Sequence, residues 1–183
     1  MNLTGTTVAF LAEKQFEDLE LLYPLIRMRE ARARTIVIGL GQPSYTGKHG
    51  LAVPVDATIG DVDPDTVDGV VVPGGWSPDW LRRDQRVLHF VSAVFKNGGM
   101  VASICHGPWV LISANIVRGR ALAGVVAVKD DLVNAGAEFV DSEVVADGNL
   151  ITARTPRDIP AWSRGMVEYL AEQRAKKSQL APG

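Results

Sequence analysis

Short runs of apolar residues alternate with segments of helical period along most of the chain. Thr6 to Ala12 (TTVAFLA) is an apolar run of strand length, which predicts a buried strand. From Phe16 to about Ala33 the period changes. Leu19, Leu22, Leu25, Ile26 and Met28 form a helical stripe, and Glu17, Asp18 and Glu20 fall in its first turn. Acids there suit the positive end of a helix, and Pro24 is a candidate kink. Thr35 to Leu40 predicts a second strand. Residues 41–67 hold scattered Gly and Pro, with a weak strand pattern at Leu51 to Asp56. Val67 to Val72 is a further strand, ended by Pro73-Gly74-Gly75. One helix is expected from about Pro78 to Lys96, stopped by Asn97-Gly98-Gly99. Met100 to Ile104 predicts the next strand, and Gly107 to Ile116 a short helix. Glu143 to Ala146 and Leu150 to Ala153 predict a hairpin across Asp147-Gly148-Asn149. Ile159, Trp162, Met166 and Leu170 mark a last helix, and the polar tail from Ala175 is expected to fray.

Repeated strand–helix units with β-branched strands predict an α/β fold, a mainly parallel sheet covered by helices on both faces. A length of 183 residues suits one domain over residues 1–183. Hydrophobic residues make up 46% and charged residues 22%, which excludes a disordered chain. The formal net charge of −2 offers no field for nucleic acid. A single cysteine makes no internal disulfide and no Cys-rich zinc site. No apolar run approaches the ~20 residues that cross a bilayer. The start Met-Asn-Leu-Thr-Gly lacks the basic residues of a signal peptide, so a cytoplasmic protein is expected.

In parallel sheets functional groups gather beyond the carboxyl ends of the strands. That rule selects Glu17, Pro73-Gly74-Gly75 and Cys105-His106-Gly107. Cys105 ends a strand and precedes a helix, where a sharp turn exposes a nucleophile and the helix start favours thiolate. The plain alternative is a small buried cysteine. His106 is a base, acid or electrostatic partner, or a helix-start residue bonded only to local backbone. The other histidines are His49, in an irregular loop, and His89, in the middle of a helix. None follows residue 106, so a nucleophile with a distal downstream histidine is excluded. A carboxyl at Glu17 would best shuttle protons with a raised pKa. Asp18 and Glu20 fit as well, and each also fits as a mere helix-start acid. Gly75 N–H is a candidate oxyanion donor, and Asp79 is by default a helix-dipole acid. No Walker A or G-x-G-x-x-G pattern is present, and adjacent Cys105 and His106 rarely converge on one ion. No cofactor and no metal are expected.

The stretches FEDLELLYP (16–24), VVPGGWSPDWLR (71–82), ASICHGPWVLISANIVRGR (102–120), KDDLVNAGAEFVDSEVV (129–145) and ARTPRDIPAW (153–162) resemble the PfpI family. This family of intracellular cysteine peptidases lies within the wider protein-deglycase superfamily, and the resemblance looks close to its bacterial stress-response members. It implies a flavodoxin-like three-layer sandwich with a nucleophile elbow, as in class I glutamine amidotransferases. It implies Cys105 as nucleophile, His106 beside it, Glu17 on the sulfur, and oxyanion N–H groups from Gly75 and His106. It also implies homodimers or hexamers in which Asp79 reaches His106 from a neighbouring subunit. Asp79 is one methylene shorter than the Glu of the archetypal peptidase. Arg154 and Thr155 fall in a matching loop without a catalytic role.

Three activities follow from the resemblance. One is glyoxalase or deglycase chemistry, converting methylglyoxal to lactate or reversing early glycation adducts. The second is a peptidase using His106 and Asp79. The third is a redox-sensing or holdase role for Cys105. All three fit stress protection.

Overall fold

The computed structural model describes residues 1–180. In chain order the elements are β1 (Thr7–Leu11), α1 (Asp18–Glu30), β2 (Arg34–Gly39), β3 (Ser44–Thr46), β4 (Ala52–Pro54), β5 (Ala57–Thr58) and β6 (Gly69–Val72). Then come α2 (Ser77–Leu81), α3 (Gln85–Lys96), β7 (Met100–Ile104), α4 (Pro108–Ser113), β8 (Ala121–Leu122) and α5 (Lys129–Asn134). The chain ends with β9 (Glu138–Phe139), β10 (Val145–Asp147), β11 (Leu150–Ala153) and α6 (Ile159–Leu180).

Seven strands form one sheet in the order β10-β11-β7-β6-β1-β2-β5, with only β10 antiparallel. Successive side chains on a strand point to opposite faces, and both faces here are apolar. Val8, Phe10, Val71, Ala102 and Ile104 pack towards α1 and α6. Ala9, Leu11, Val70, Val72 and Val101 pack towards α3, α4 and α5. This is the expected flavodoxin-like sandwich. Trp162 is fully buried and donates its indole N–H to the Ile151 carbonyl at 2.9 Å, which ties α6 to β11. Among the described residues no helix is long and apolar enough to cross a membrane.

Several sequence expectations are corrected. The helix expected over 78–96 is two helices, because Asp84 starts α3 by accepting the Arg86 N–H. The first helix turns a different face inward. Glu20, Leu21, Pro24, Leu25 and Met28 are buried, while Leu19 and Ile26 are more than half exposed. It runs through Pro24 without interruption. From Ala175 to Leu180 the expected fraying is replaced by continuous helix, and residues 181–183 lie outside the described residues. The expected hairpin is present as β10 and β11. The segment at 51–56 narrows to β4, paired with β3 outside the main sheet.

The parallel register brings the carboxyl ends of β1, β6 and β7 to one edge. Val71 pairs with Phe10 on one side and with Ala102 on the other. The segments after these strands therefore meet, as an isolated bridge between Phe16 and Gly75 shows.

Candidate active site

Cys105 follows the last residue of β7 and has a left-handed backbone, with φ of 59°. Its N–H donates to Ala153 and its carbonyl accepts from Val125 at 3.0 Å. Gly107 then donates to Ile104, which closes the turn before α4. A non-glycine residue at positive φ persists only where its surroundings enforce it, and such strain is common at functional turns. The result is the expected elbow, with a half-buried thiol.

Glu20 reaches the elbow from α1. It is fully buried, and its Oε2 accepts the Gly74 N–H at 2.7 Å. Its Oε1 is buried without a hydrogen-bond partner among the described residues. A Cβ added to Gly74 would lie 2.6 Å from Glu20 Oε2 and 2.8 Å from Cys105 Cβ. Glycine here is what allows the β6 exit, the carboxyl and the thiol to meet.

The structure thus corrects the expected role of Glu17. Glu17 precedes the first turn of α1, and its carboxylate turns to the rim, 3.2 Å from His49 Nε2 and 3.6 Å from Lys48 Nζ. Asp18, also buried, accepts the His49 and Leu51 N–H groups at 2.8 and 3.0 Å and holds that loop in place. Glu17, Asp18 and His49 bring three ligand-type atoms within 4.8 Å of one another. Both Asp18 oxygens are already occupied by backbone N–H groups, and Lys48 occupies the Glu17 carboxylate, so the set is poorly suited to a cation.

Burial pushes the Glu20 carboxyl from an ordinary 4.5 up to about 8; the Gly74 N–H opposes the rise and the nearby Glu17 charge adds to it. Burial, and then the charge of an ionised Glu20, push the Cys105 thiol up to about 12, against the N–H groups of His106 and Gly75. The two groups titrate as a pair. Glu20 loses its proton first, so the Cys105 value belongs to a thiol beside a carboxylate. While Glu20 is protonated that charge is absent. The sequence expectation of a ready thiolate is corrected accordingly. The six-residue α4 does not outweigh burial and an acidic neighbour.

His106 Nδ1 lies 3.3 Å from Cys105 Sγ. Burial, then the Lys48 charge, lower the His106 pKa, so its ring is neutral at neutral pH. Trp76 and Trp109 flank it, with ring centroids 5.7 and 5.0 Å away. Gly75 has φ of 70°, and its N–H and that of His106 act on the sulfur from the elbow. Asp79 is not brought to His106 within the chain; it is half-buried on α2 and pairs with Arg83 one turn further on. His89 is exposed on α3. Arg154 pairs with Asp158 at 2.9 Å and with Asp141 at 2.7 Å.

Glu20 was legible as a candidate but not as the choice. The decisive signal is period: positions 20, 21, 24, 25 and 28 share one helical face, and the apolar members of that set mark it as the face towards the sheet. Trp76 carried no chemical motif and was passed over.

The chain is 43% identical over 163 residues to the deglycase PH1704 of Pyrococcus horikoshii, covering 89% of this chain and 98% of that one. YraA of Bacillus subtilis, whose name proposes a cysteine protease, is 41% identical over 164 residues, covering 89% and 97%. The crystal structure of Drosophila melanogaster DJ-1beta superposes with a TM-score of 0.86 at 27% identity, covering all of both chains. Residues 6–169 match the DJ-1/PfpI family, and at this coverage and identity the chain belongs to it.

Proposed function

We propose that this protein is a cysteine-dependent enzyme acting on reactive dicarbonyls or early glycation adducts, with methylglyoxal converted to lactate. The observation that carries the reading is the buried Glu20 carboxyl set against the Cys105 thiol, held there by the Gly74 N–H. A carboxyl with a pKa near 8 both takes and returns protons at neutral pH.

In the first step Glu20 carboxylate takes the thiol proton as Cys105 Sγ bonds to the aldehyde carbon. The carbonyl π pair moves onto oxygen, between the N–H groups of Gly75 and His106, and the proton follows it to give a hemithioacetal. Glu20 then removes the proton from the former aldehyde carbon and returns it to the neighbouring carbon. The hydroxyl proton on the former aldehyde oxygen passes to the former ketone oxygen, which becomes a hydroxyl, and the former aldehyde carbon becomes a thioester carbonyl. This internal redox exchange needs no external oxidant. Water cleaves the thioester, releasing lactate and restoring the thiol. Relatives named deglycases support this chemistry class.

Lactate formation from methylglyoxal in amine-free buffer tests the reading. Wild type should turn over, Cys105→Ser should not, and Glu20→Gln should lose about 100-fold or more. Retained turnover in Glu20→Gln would overturn the proton-shuttle assignment.

A peptidase is the second reading, favoured by the 3.3 Å separation of Sγ and His106 Nδ1. It requires Asp79 of a second copy to orient His106. The exposed Leu19, Tyr23 and Ile26 on α1 support self-association. Cys105-dependent peptide cleavage that Asp79→Ala abolishes in the oligomer would favour it.

A further inference from the structure

Trp76 stands apart from the other tryptophans of this region. Trp80 is covered by cations, with Lys14 Nζ 3.7 Å from its ring centroid and the Arg83 guanidinium carbon at 4.5 Å. Trp109 is anchored by its indole N–H to Asp131 Oδ2 at 2.8 Å, with Arg82 near its face. Trp76 is half exposed, and among the described residues the only ring or cation set against it is His106. Exposing half of an indole beside a nucleophile forgoes burial that the fold otherwise gives its large apolar side chains.

We propose that Trp76, backed by His106 and Trp109, forms a subsite that selects α-oxoaldehydes carrying an aromatic ring over those carrying only a methyl group. The inference rests on the dicarbonyl reading and names its substrate class. Reach decides between the two groups. Measured from the attacking sulfur, the methyl carbon of methylglyoxal extends at most about 5 Å, and the far edge of a phenyl ring about 8 Å. His106 Nδ1 is 3.3 Å from the sulfur and the Trp76 centroid is 5.7 Å from the His106 centroid. A methyl group therefore ends beside the imidazole, while an aryl ring is long enough to extend past it toward the indole, on which aromatic pairs form at centroid separations of about 4.5–7 Å. Because His106 is neutral, the wall it forms with the two indoles is uncharged and suits a planar ring. Phenylglyoxal plus water gives mandelate by the same atom flow that gives lactate from methylglyoxal.

The test measures equilibrium binding of the two products, mandelate and lactate, by calorimetry on wild type, Trp76→Ala and Trp76→Phe. Wild type should bind mandelate about fivefold more tightly than lactate, the ratio one aromatic pair supplies. Trp76→Ala should bring the ratio close to one and Trp76→Phe should retain most of it. The kcat/KM ratio for phenylglyoxal over methylglyoxal should fall in parallel, through KM. Equal affinity for both acids in wild type, or an unchanged ratio in Trp76→Ala, would overturn the proposal. A Trp76→Ala variant that changes oligomeric state with the ratio intact would also overturn it, assigning the indole to a contact between copies. Product binding needs no turnover. A mandelate preference lost in Trp76→Ala, with neither aldehyde consumed, would sustain the subsite and refute the dicarbonyl reaction.

Discussion

Replacing Glu20 with Gln should make the protein more stable at neutral pH than wild type, by an amount that vanishes in acid. Glu20 is fully buried, and its pKa is raised from 4.5 to about 8, chiefly by burial. A folded pKa above the unfolded one means that the folded state holds the proton more tightly. Its contribution is fully favourable below pH 4.5 and is lost as pH rises towards 8. The difference between the two values is worth about 5 kcal/mol in full, of which about 3.5 kcal/mol falls between pH 5 and pH 8. Gln fills the same space, still accepts the Gly74 N–H, and does not titrate. Urea denaturation of both proteins at pH 5, 6, 7 and 8 isolates Glu20 with its coupled partner Cys105, because the remaining titrating groups are shared. Relative to wild type, Glu20→Gln should gain roughly 3 kcal/mol from pH 5 to pH 8. Parallel pH dependence in the two proteins would refute the buried, proton-holding carboxyl and with it the proposed shuttle.

The same substitution should lower the Cys105 pKa below that of wild type, since it removes the neighbouring charge, and thiolate absorbance at alkaline pH reads this. Gly74→Ala should lose most Cys105-dependent turnover and destabilise by about 1–3 kcal/mol, because the added Cβ meets Glu20 Oε2 and Cys105 Cβ; thermal melts and lactate assays check both. Cys105→Gly should be more stable than Cys105→Ala by about 1 kcal/mol, since alanine keeps a side chain at φ of 59°. Equal melting of the two variants would show that the elbow is unstrained.

Sequence alone carried the alternation of strands and helices, since both depend on local period. The apolar runs TTVAFL, GVVV and MVASI are long enough, and β-branched enough, to be read without knowing their neighbours. The nucleophile turn was legible for the same reason: Cys105-His106-Gly107 directly follows a strand and precedes a helix. The break of the expected long helix at Asp84 was not, because a cap hydrogen bond two residues long leaves little trace in hydropathy. The rotation of α1 was missed because Leu19 and Ile26 are as apolar as Leu21 and Leu25, and only the sheet decides which of them is buried.

The choice among Glu17, Asp18 and Glu20 belongs to the tertiary structure for a related reason. Three acids within four residues have the same local chemistry, and each suits a helix start. The packing of α1 on the sheet turns Glu20 inward to Gly74 and Cys105, Asp18 to the backbone of the 47–51 loop, and Glu17 to Lys48 and His49. The titration of the site follows from the same packing. Local rules favour a thiolate at a helix start, but burial and a carboxyl contributed from α1, some 85 residues earlier in the chain, push the thiol the other way. Residue types and periods fix what a segment can be; the pKa of a buried group depends on what the fold places around it, because desolvation and Coulomb terms act through space.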